Sequence, residues 1–283
     1  MIDYTNNDVL MIKKGDVCYL EFKILQKYKD KLRHAITLRH GGVSGFPVNS
    51  LNFKSNGKDK IENVIENVEI FCKEANFLKE NICKGTQNHT DNILILDNNN
   101  KEKYLYKNFC DEYYDGYITR EKNIAPLILT ADCNAIIIYD TKQNIVANIH
   151  SGWKGVTKQI YLKVVSILIN EFKSNVEDII VCIGPSIRKC CFSSEDEKFK
   201  LYFNSIWKNE NEYIYYEKNN KRFHIDLIHI IIKDLIAIGI KKENIADANI
   251  CTACNNEDFF SYRIATQKGY EDYGLMGTIV ELI

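Results

Sequence analysis

Three residues far apart in the chain carry side chains suited to one site: His89, Cys133 and His150. Cys133 closes the run Thr130-Ala131-Asp132-Cys133, and His150 opens the run His150-Ser151-Gly152-Trp153-Lys154-Gly155. Each lies at the border of an apolar, β-branched stretch. A thiol and an imidazole delivered to neighbouring strand ends can meet, and two chemistries are then open. Cys133 could be a nucleophile with His150 as its base. Alternatively both could be ligands of a soft-to-borderline metal, with His89 of Gln87-Asn88-His89 as the third. Two imidazoles and one thiolate suit catalytic zinc, which takes three protein ligands and leaves a fourth position for water or substrate. On spacing alone, three unrelated residues remain the plain alternative.

The elements that must position these residues are readable from periodicity. Residues 127–129, 135–139 and 145–149 predict buried strands, with 140–144 as a polar hairpin loop. Apolar residues at 156, 160, 164, 165, 167, 168 and 172 predict an amphipathic helix over 156–172. The glycine-bearing turn then opens that helix, where backbone N–H groups are free. A second helix is predicted over 59–76, with Asp59 as N-cap and Glu62 three residues on. Residues 194–207 and 226–238 also read as helices, the latter closed by Gly239. Residues 17–25, 36–39, 178–184, 248–252, 259–263 and 274–280 read as strands. Residues 97–103 predict a charged loop, and 208–222 a loop or edge hairpin. The mixture lacks regular βαβ alternation, which favours an α+β fold in one domain over residues 1–283.

Composition narrows the function classes. The net charge of −1 provides no global basic field, so nucleic-acid binding is not expected. No apolar run approaches the roughly 20 residues of a membrane span. The first residues lack a basic-then-apolar leader pattern, and ten cysteines without one suggest a reducing, cytoplasmic setting. Most of these cysteines read as small buried hydrophobes, Cys190 and Cys191 among them. Cys251-Thr252-Ala253-Cys254 is a lone CxxC, half of a four-ligand zinc site without its second half. Arg39 precedes His40-Gly41-Gly42, a turn that could present its guanidinium to an anion. Tyr262 and Arg263 could face a pocket.

Taken together these runs resemble the YfiH/YlmD-type family, known as laccase-domain or "polyphenol oxidase" proteins and as zinc-dependent purine nucleoside phosphorylases. The resemblance rests on Arg39-His40-Gly41-Gly42-Val43-Ser44, Ser50-Leu51-Asn52-Phe53, Gln87-Asn88-His89, Asp115-Gly116-Tyr117-Ile118-Thr119 and the two runs around Cys133 and His150. It continues through the run from Gly184 to Phe192 and the one from Cys251 to Arg263. It implies an α/β/β/α-layered fold with mixed sheets buried between helices, and a zinc ion held by His89, Cys133 and His150. It also implies phosphorolysis of adenosine, inosine, guanosine and methylthioadenosine, with adenosine deamination as a companion activity. The partners would be purine nucleosides and phosphate; charge and position, not the resemblance, make Arg39 the candidate anion contact and Tyr262 and Arg263 candidate pocket residues. Departures from the family wording are Leu38 for Thr, Asn88 and Thr90 around His89, and Phe192-Ser193 for Tyr-Glu. Copper-dependent phenol oxidation is weaker, because six histidines are few for several coppers. A non-catalytic ligand-binding protein is the remaining alternative.

Overall fold

The computed structural model describes residues 1–283 except Lys107, Phe109 and residues 209–211. Two six-stranded sheets stack face to face. The first contains β1 (Val9–Lys14), β2 (Val17–Phe22), β3 (Leu32–Thr37), β4 (Ile82–Cys83), β7 (Ala125–Thr130) and β15 (Met276–Leu282), in the order β1-β2-β3-β15-β7-β4. The second contains β5 (Ile93–Ile95), β6 (Gly116–Thr119), β8 (Asn134–Asp140), β9 (Ile145–Ser151), β10 (Ile179–Ile183) and β14 (Ile245–Asp247), in the order β14-β10-β8-β9-β6-β5. Both sheets are mixed: β4–β7, β5–β6 and β10–β14 run parallel, the other pairs antiparallel. A small third sheet joins β11 (Ser193–Ser194), β12 (Ile214–Glu217) and β13 (Arg222–Ile225).

Alternation along the central strands explains the layering. Ile137, Tyr139, Ile180 and Cys182 point inward to meet Leu20, Ile36 and Val280 of the first sheet. Their neighbours Ile136, Ile138, Val181 and Ile183 point outward. There they are covered by helices α3 (Trp153–Thr157), α4 (Ile160–Asn170), α5 (Glu197–Ile206) and α6 (Leu227–Ala237). The outer face of the first sheet packs Leu127 and Ile279 against Val68 and Phe71 of α1 (Ile61–Ala75). Strands buried on both faces read as continuous apolar runs. Each such Ile or Leu contributes about 1.5–3 kcal/mol of burial.

Several elements differ from their sequence reading. The run 125–140 is two strands in two sheets: β7 ends in the first, residues 131–133 cross over, and β8 starts the second. The loop between β4 and β5, which carries His89, makes the same crossing. The helix expected over 156–172 starts earlier, at Trp153, and breaks at Gln159, whose φ is 53°. Asp59 does not cap α1, which follows Lys60; it accepts hydrogen bonds from Ser44 Oγ at 2.6 Å and from Asn52 and Asn63 Nδ2 at 3.0 Å. The strand expected over 248–252 is displaced to β14, and residues 248–252 continue as an irregular segment bridged to Ser186. The strand expected over 259–263 is instead a cap and helix start. Ser261 Oγ accepts from Ile264 N at 3.3 Å and opens α7 (Tyr262–Gln267). The charged stretch 97–103 ends in one helical turn, α2 (Lys101–Tyr104). The hairpin alternative for 208–222 is realised by β12 and β13, with residues 209–211 outside the described residues.

Candidate active site

The two crossings bring the ligand candidates together. In the β8–β9 ladder Ala135 pairs with His150 and Asn134 with Ser151, so the residue before β8 lies beside the end of β9. Cys133 Sγ is 3.8 Å from His89 Nε2, and the His89 and His150 rings meet edge to face at 4.8 Å between centroids. The potential ligand atoms of the three residues lie within 4.8 Å of one another. That spacing and the His2Cys donor set fit one zinc ion with an open position.

The backbone supporting these residues is strained. His89 and Asp132 have left-handed φ values of 55° and 84°. Such conformations cost about 1–3 kcal/mol each and persist only where surrounding contacts enforce them. At Asp132 the enforcement is clear. Its buried carboxylate accepts from Thr252 Oγ1 at 2.6 Å, Ser261 Oγ at 3.0 Å and Arg263 N at 2.7 Å. Gly152 follows from crowding: a Cβ there would lie 2.7 Å from Cys133 Sγ and 3.1 Å from His89 Cδ2. Gln87 fixes the His89 loop by pairing like a strand with Leu129, giving and receiving one hydrogen bond of 2.8 Å each.

Asp115 is the residue to which sequence reasoning assigned no role. Its fully buried carboxylate receives the His150 Nδ1–H at 2.7 Å, which leaves Nε2 as the free ring nitrogen. It also accepts from His89 N at 3.1 Å and from Thr90 N and Oγ1 at 2.6 and 2.7 Å. One carboxylate therefore orients both histidine-bearing segments. Thr90, a departure from the family wording, contributes a bond that a glycine could not make. The signal for Asp115 lay in the need for an acceptor behind a ligating histidine, but no spacing rule ties residue 115 to residue 150.

Electrostatics follow from this geometry. Burial pushes the Cys133 thiol up, but His150 and His89 outweigh it and hold it at about 7. Burial pulls His150 down, but Cys133 and Asp115 outweigh it and lift it to about 9. Burial likewise opposes ionisation of Asp115, and the bonds from His150 and Thr90 bring it down to about 2. Without an ion, each partner favours the charged form of the other, a thiolate beside an imidazolium.

The three side chains open onto a cleft of ≈ 550 Å³, also lined by Trp153, Tyr262, Tyr273, Lys84 and Lys154. Tyr262 is thus in the cleft, as expected. Arg39 lies in a neighbouring cavity, with its guanidinium donating to the carbonyls of Asn49 and Asn256 at 2.9 and 2.7 Å and stacked on Phe260. Arg263 turns away as well, donating from Nη1 to Cys191 O at 2.6 Å. Phe192 and Ser193 do not line the cleft: Phe192 packs on Phe199, and Ser193 accepts from Arg222 at 2.8 Å. Leu38 is buried between the sheets.

A two-sheet α+β sandwich is the architecture that the comparisons recover. The family described as "Multi-copper polyphenol oxidoreductase laccase" matches residues 33–283. The chain belongs to this laccase-like family. It is 34% identical over 219 residues to a purine nucleoside phosphorylase of Clostridium acetobutylicum, covering 76% of this chain and 82% of that one. A purine nucleoside phosphorylase of Bacteroides thetaiotaomicron is 28% identical over 249 residues, covering 86% and 90%. Adenosine deaminase RL5, from an unknown prokaryote, is 32% identical over 152 residues, covering 54% and 57%. The chain spans about half the length of a longer mouse relative, 55%. Among solved structures, the hypothetical protein YfiH of Bacillus licheniformis superposes with a TM-score of 0.85 at 23% identity, covering 96% and 99%. Among the described residues, no helix is long and apolar enough to cross a membrane.

Proposed function

We propose that the chain is a zinc-dependent purine nucleoside phosphorylase that also deaminates adenosine. The observation that carries this reading is the cleft itself: a His2Cys donor set, aromatic walls and lysines share one cavity of ≈ 550 Å³. That volume lies in the usual range for small-molecule sites. The names of the relatives point the same way. His89, Cys133 and His150 hold the metal. When bound, zinc polarises a substrate atom or lowers the pKa of a water molecule.

The chain's own residues supply the rest. Trp153, Tyr262 and Tyr273 offer π faces for a purine. Lys54 is committed to Asp272, at 2.6 Å. Lys84 and Lys154 are therefore the cations we assign to phosphate, in place of Arg39 and Arg263, which face elsewhere. In phosphorolysis a phosphate oxygen bonds to the ribose C1′ as the C1′–N9 bond breaks, and the base leaves with a proton. In deamination water adds at C6 and ammonia departs. Asp115 holds His150 in the orientation both reactions need. The whole chain acts as one catalytic unit in this reading.

The test is incubation of metal-replete protein with adenosine, with and without phosphate, followed by chromatography. Adenine and ribose 1-phosphate appearing only with phosphate, and inosine in either case, are the expected products. No turnover by metal-replete protein would favour a non-catalytic ligand-binding role. Stoichiometric copper with little zinc, together with oxidation of a phenol, would favour the oxidase reading that the family's description carries. A Cys133→Ala variant as fast as the wild type would remove the site from the reaction.

A further inference from the structure

Among the described residues, one other group of thiol and imidazole side chains is close enough to share an ion: Cys190, Cys191, Cys251 and Cys254. The lone CxxC has its second half after all, contributed from some sixty residues upstream. Cys190 and Cys191 occupy a tight turn after β10, in which Cys191 N and Phe192 N both donate to Arg188 O at 2.8 Å. Cys251–Cys254 forms a second turn after β14, closed by Asn255 N and Nδ2 on Cys251 O at 3.1 and 2.8 Å. The two turns are stitched together: Ser186 N donates to Ile250 O at 3.2 Å, and Thr252 N to Ser186 O at 3.1 Å.

The sulfurs converge as a result. Cys254 Sγ is 3.6 Å from Cys190 Sγ and 3.4 Å from Cys191 Sγ, and all four sulfurs lie within 4.8 Å of one another. This is much longer than the ~2.05 Å of a disulfide. It is close to the ~3.8 Å edge of a tetrahedron with metal–sulfur bonds of ~2.3 Å. Adjacent cysteines do not usually aim at one point; here the tight turn lets both reach the sulfur of Cys254. Two of the four, Cys190 and Cys254, are exposed, so an ion has a path in, while Cys251 is buried.

We propose that Cys190, Cys191, Cys251 and Cys254 form a second metal centre, structural rather than catalytic, that takes one thiophilic divalent cation, zinc. Four sulfurs fill the tetrahedron and leave no open position, unlike the His2Cys set. A single ion fits better than an iron–sulfur cluster because the four sulfurs crowd around one point. The centre also has a task. The CxxC loop runs on through Thr252, Ser261 and Arg263, the three residues that pin Asp132 beside Cys133. An ion joining this loop to the turn after β10 braces the catalytic crossing from behind.

The test is metal content by mass spectrometry on the full chain, purified with zinc under reducing conditions. Wild type is expected to hold two zinc ions per chain. A Cys190→Ser/Cys254→Ser variant and a His89→Ala/His150→Ala variant should each hold one. No zinc retained by the histidine variant, or an unchanged content in the cysteine variant, would overturn the proposal. Cobalt(II) gives an independent readout that does not require the cysteine variant to fold. The histidine variant loaded with cobalt should show the intense visible bands and thiolate charge-transfer absorption of tetrahedral sulfur ligation. Their absence, or peptide mapping that finds Cys254 already disulfide-linked to Cys190 or Cys191 in anaerobically purified protein, would also overturn it. Nothing in this test depends on nucleoside turnover.

Discussion

Asp115 does for His150 what no ligand residue can do for itself: it selects the tautomer. Replacing it with Asn keeps the shape and removes the charge, so the ring is held less firmly with Nε2 as its unprotonated nitrogen. We expect Asp115→Asn to weaken zinc binding about 10–100-fold, measured by chelator competition. The thiolate–imidazolium pair predicts a pH signature in metal-stripped protein. Cys133 is held at about 7, so its thiolate is present above that pH and lost below it. Alkylation of Cys133, followed by peptide mapping, should therefore titrate with a midpoint near 7. In His150→Ala, which removes the largest of the lowering influences, the midpoint should move up toward the ordinary thiol range. Gly152 permits a different, purely steric test. The alanine Cβ would lie 2.7 Å from Cys133 Sγ. Gly152→Ala is expected to lose most zinc affinity and turnover while circular dichroism stays native, because the clash falls on the ligands and not on the core.

At the scale of elements, the turn carrying Asp132 is the joint on which the site depends. Asp132→Ala leaves two hydroxyls and a backbone N–H without their acceptor in a buried place. A loss of roughly 2–4 kcal/mol is expected, read from the urea midpoint. This element also shows where sequence reasoning reached its limit. The apolar runs marked β7, β8 and β9 clearly, because strands buried on both faces leave an uninterrupted β-branched pattern. The pairing of β8 with β9 followed from the short loop between them. The assignment of β7 to the other sheet left no local trace, since a three-residue crossing and a three-residue break in one strand look alike. Phe259-Phe260-Ser261-Tyr262-Arg263 was misread as strand for a related reason: its aromatics are buried, but Ser261 acts as a cap, and capping is decided by the backbone around it. The three candidate ligands, which the structure brings together, were legible because their residue types are rare and lie at strand borders. Asp115, Gln87 and the convergence of the four cysteines were not, because each depends on contacts between segments distant in sequence.

For the whole molecule, the essential feature is that the site belongs to neither sheet alone. His89 hangs on the passage from β4 to β5, and Cys133 on the passage from β7 to β8; each passage leads from the first sheet to the second. Only the folded sandwich assembles the donor set, so zinc, as proposed for this site, would bind the native state in preference to the unfolded chain. Thermal stability should then rise with free zinc, by about 1.4 kcal/mol for each tenfold increase above the dissociation constant. Calorimetry at several buffered zinc concentrations measures this, and the dependence should be smaller by that amount in the His89→Ala/His150→Ala variant, any slope that remains belonging to the cysteine centre.

The two neighbouring passages have one more implication. His150 lowers the Cys133 thiol only when it stands next to it, and the two meet only after the halves of the sandwich have closed. A nascent chain thus carries an ordinary, sluggish thiol at this position. The lowered thiol and the donor set that could hold an ion on it arrive together, in one folding event.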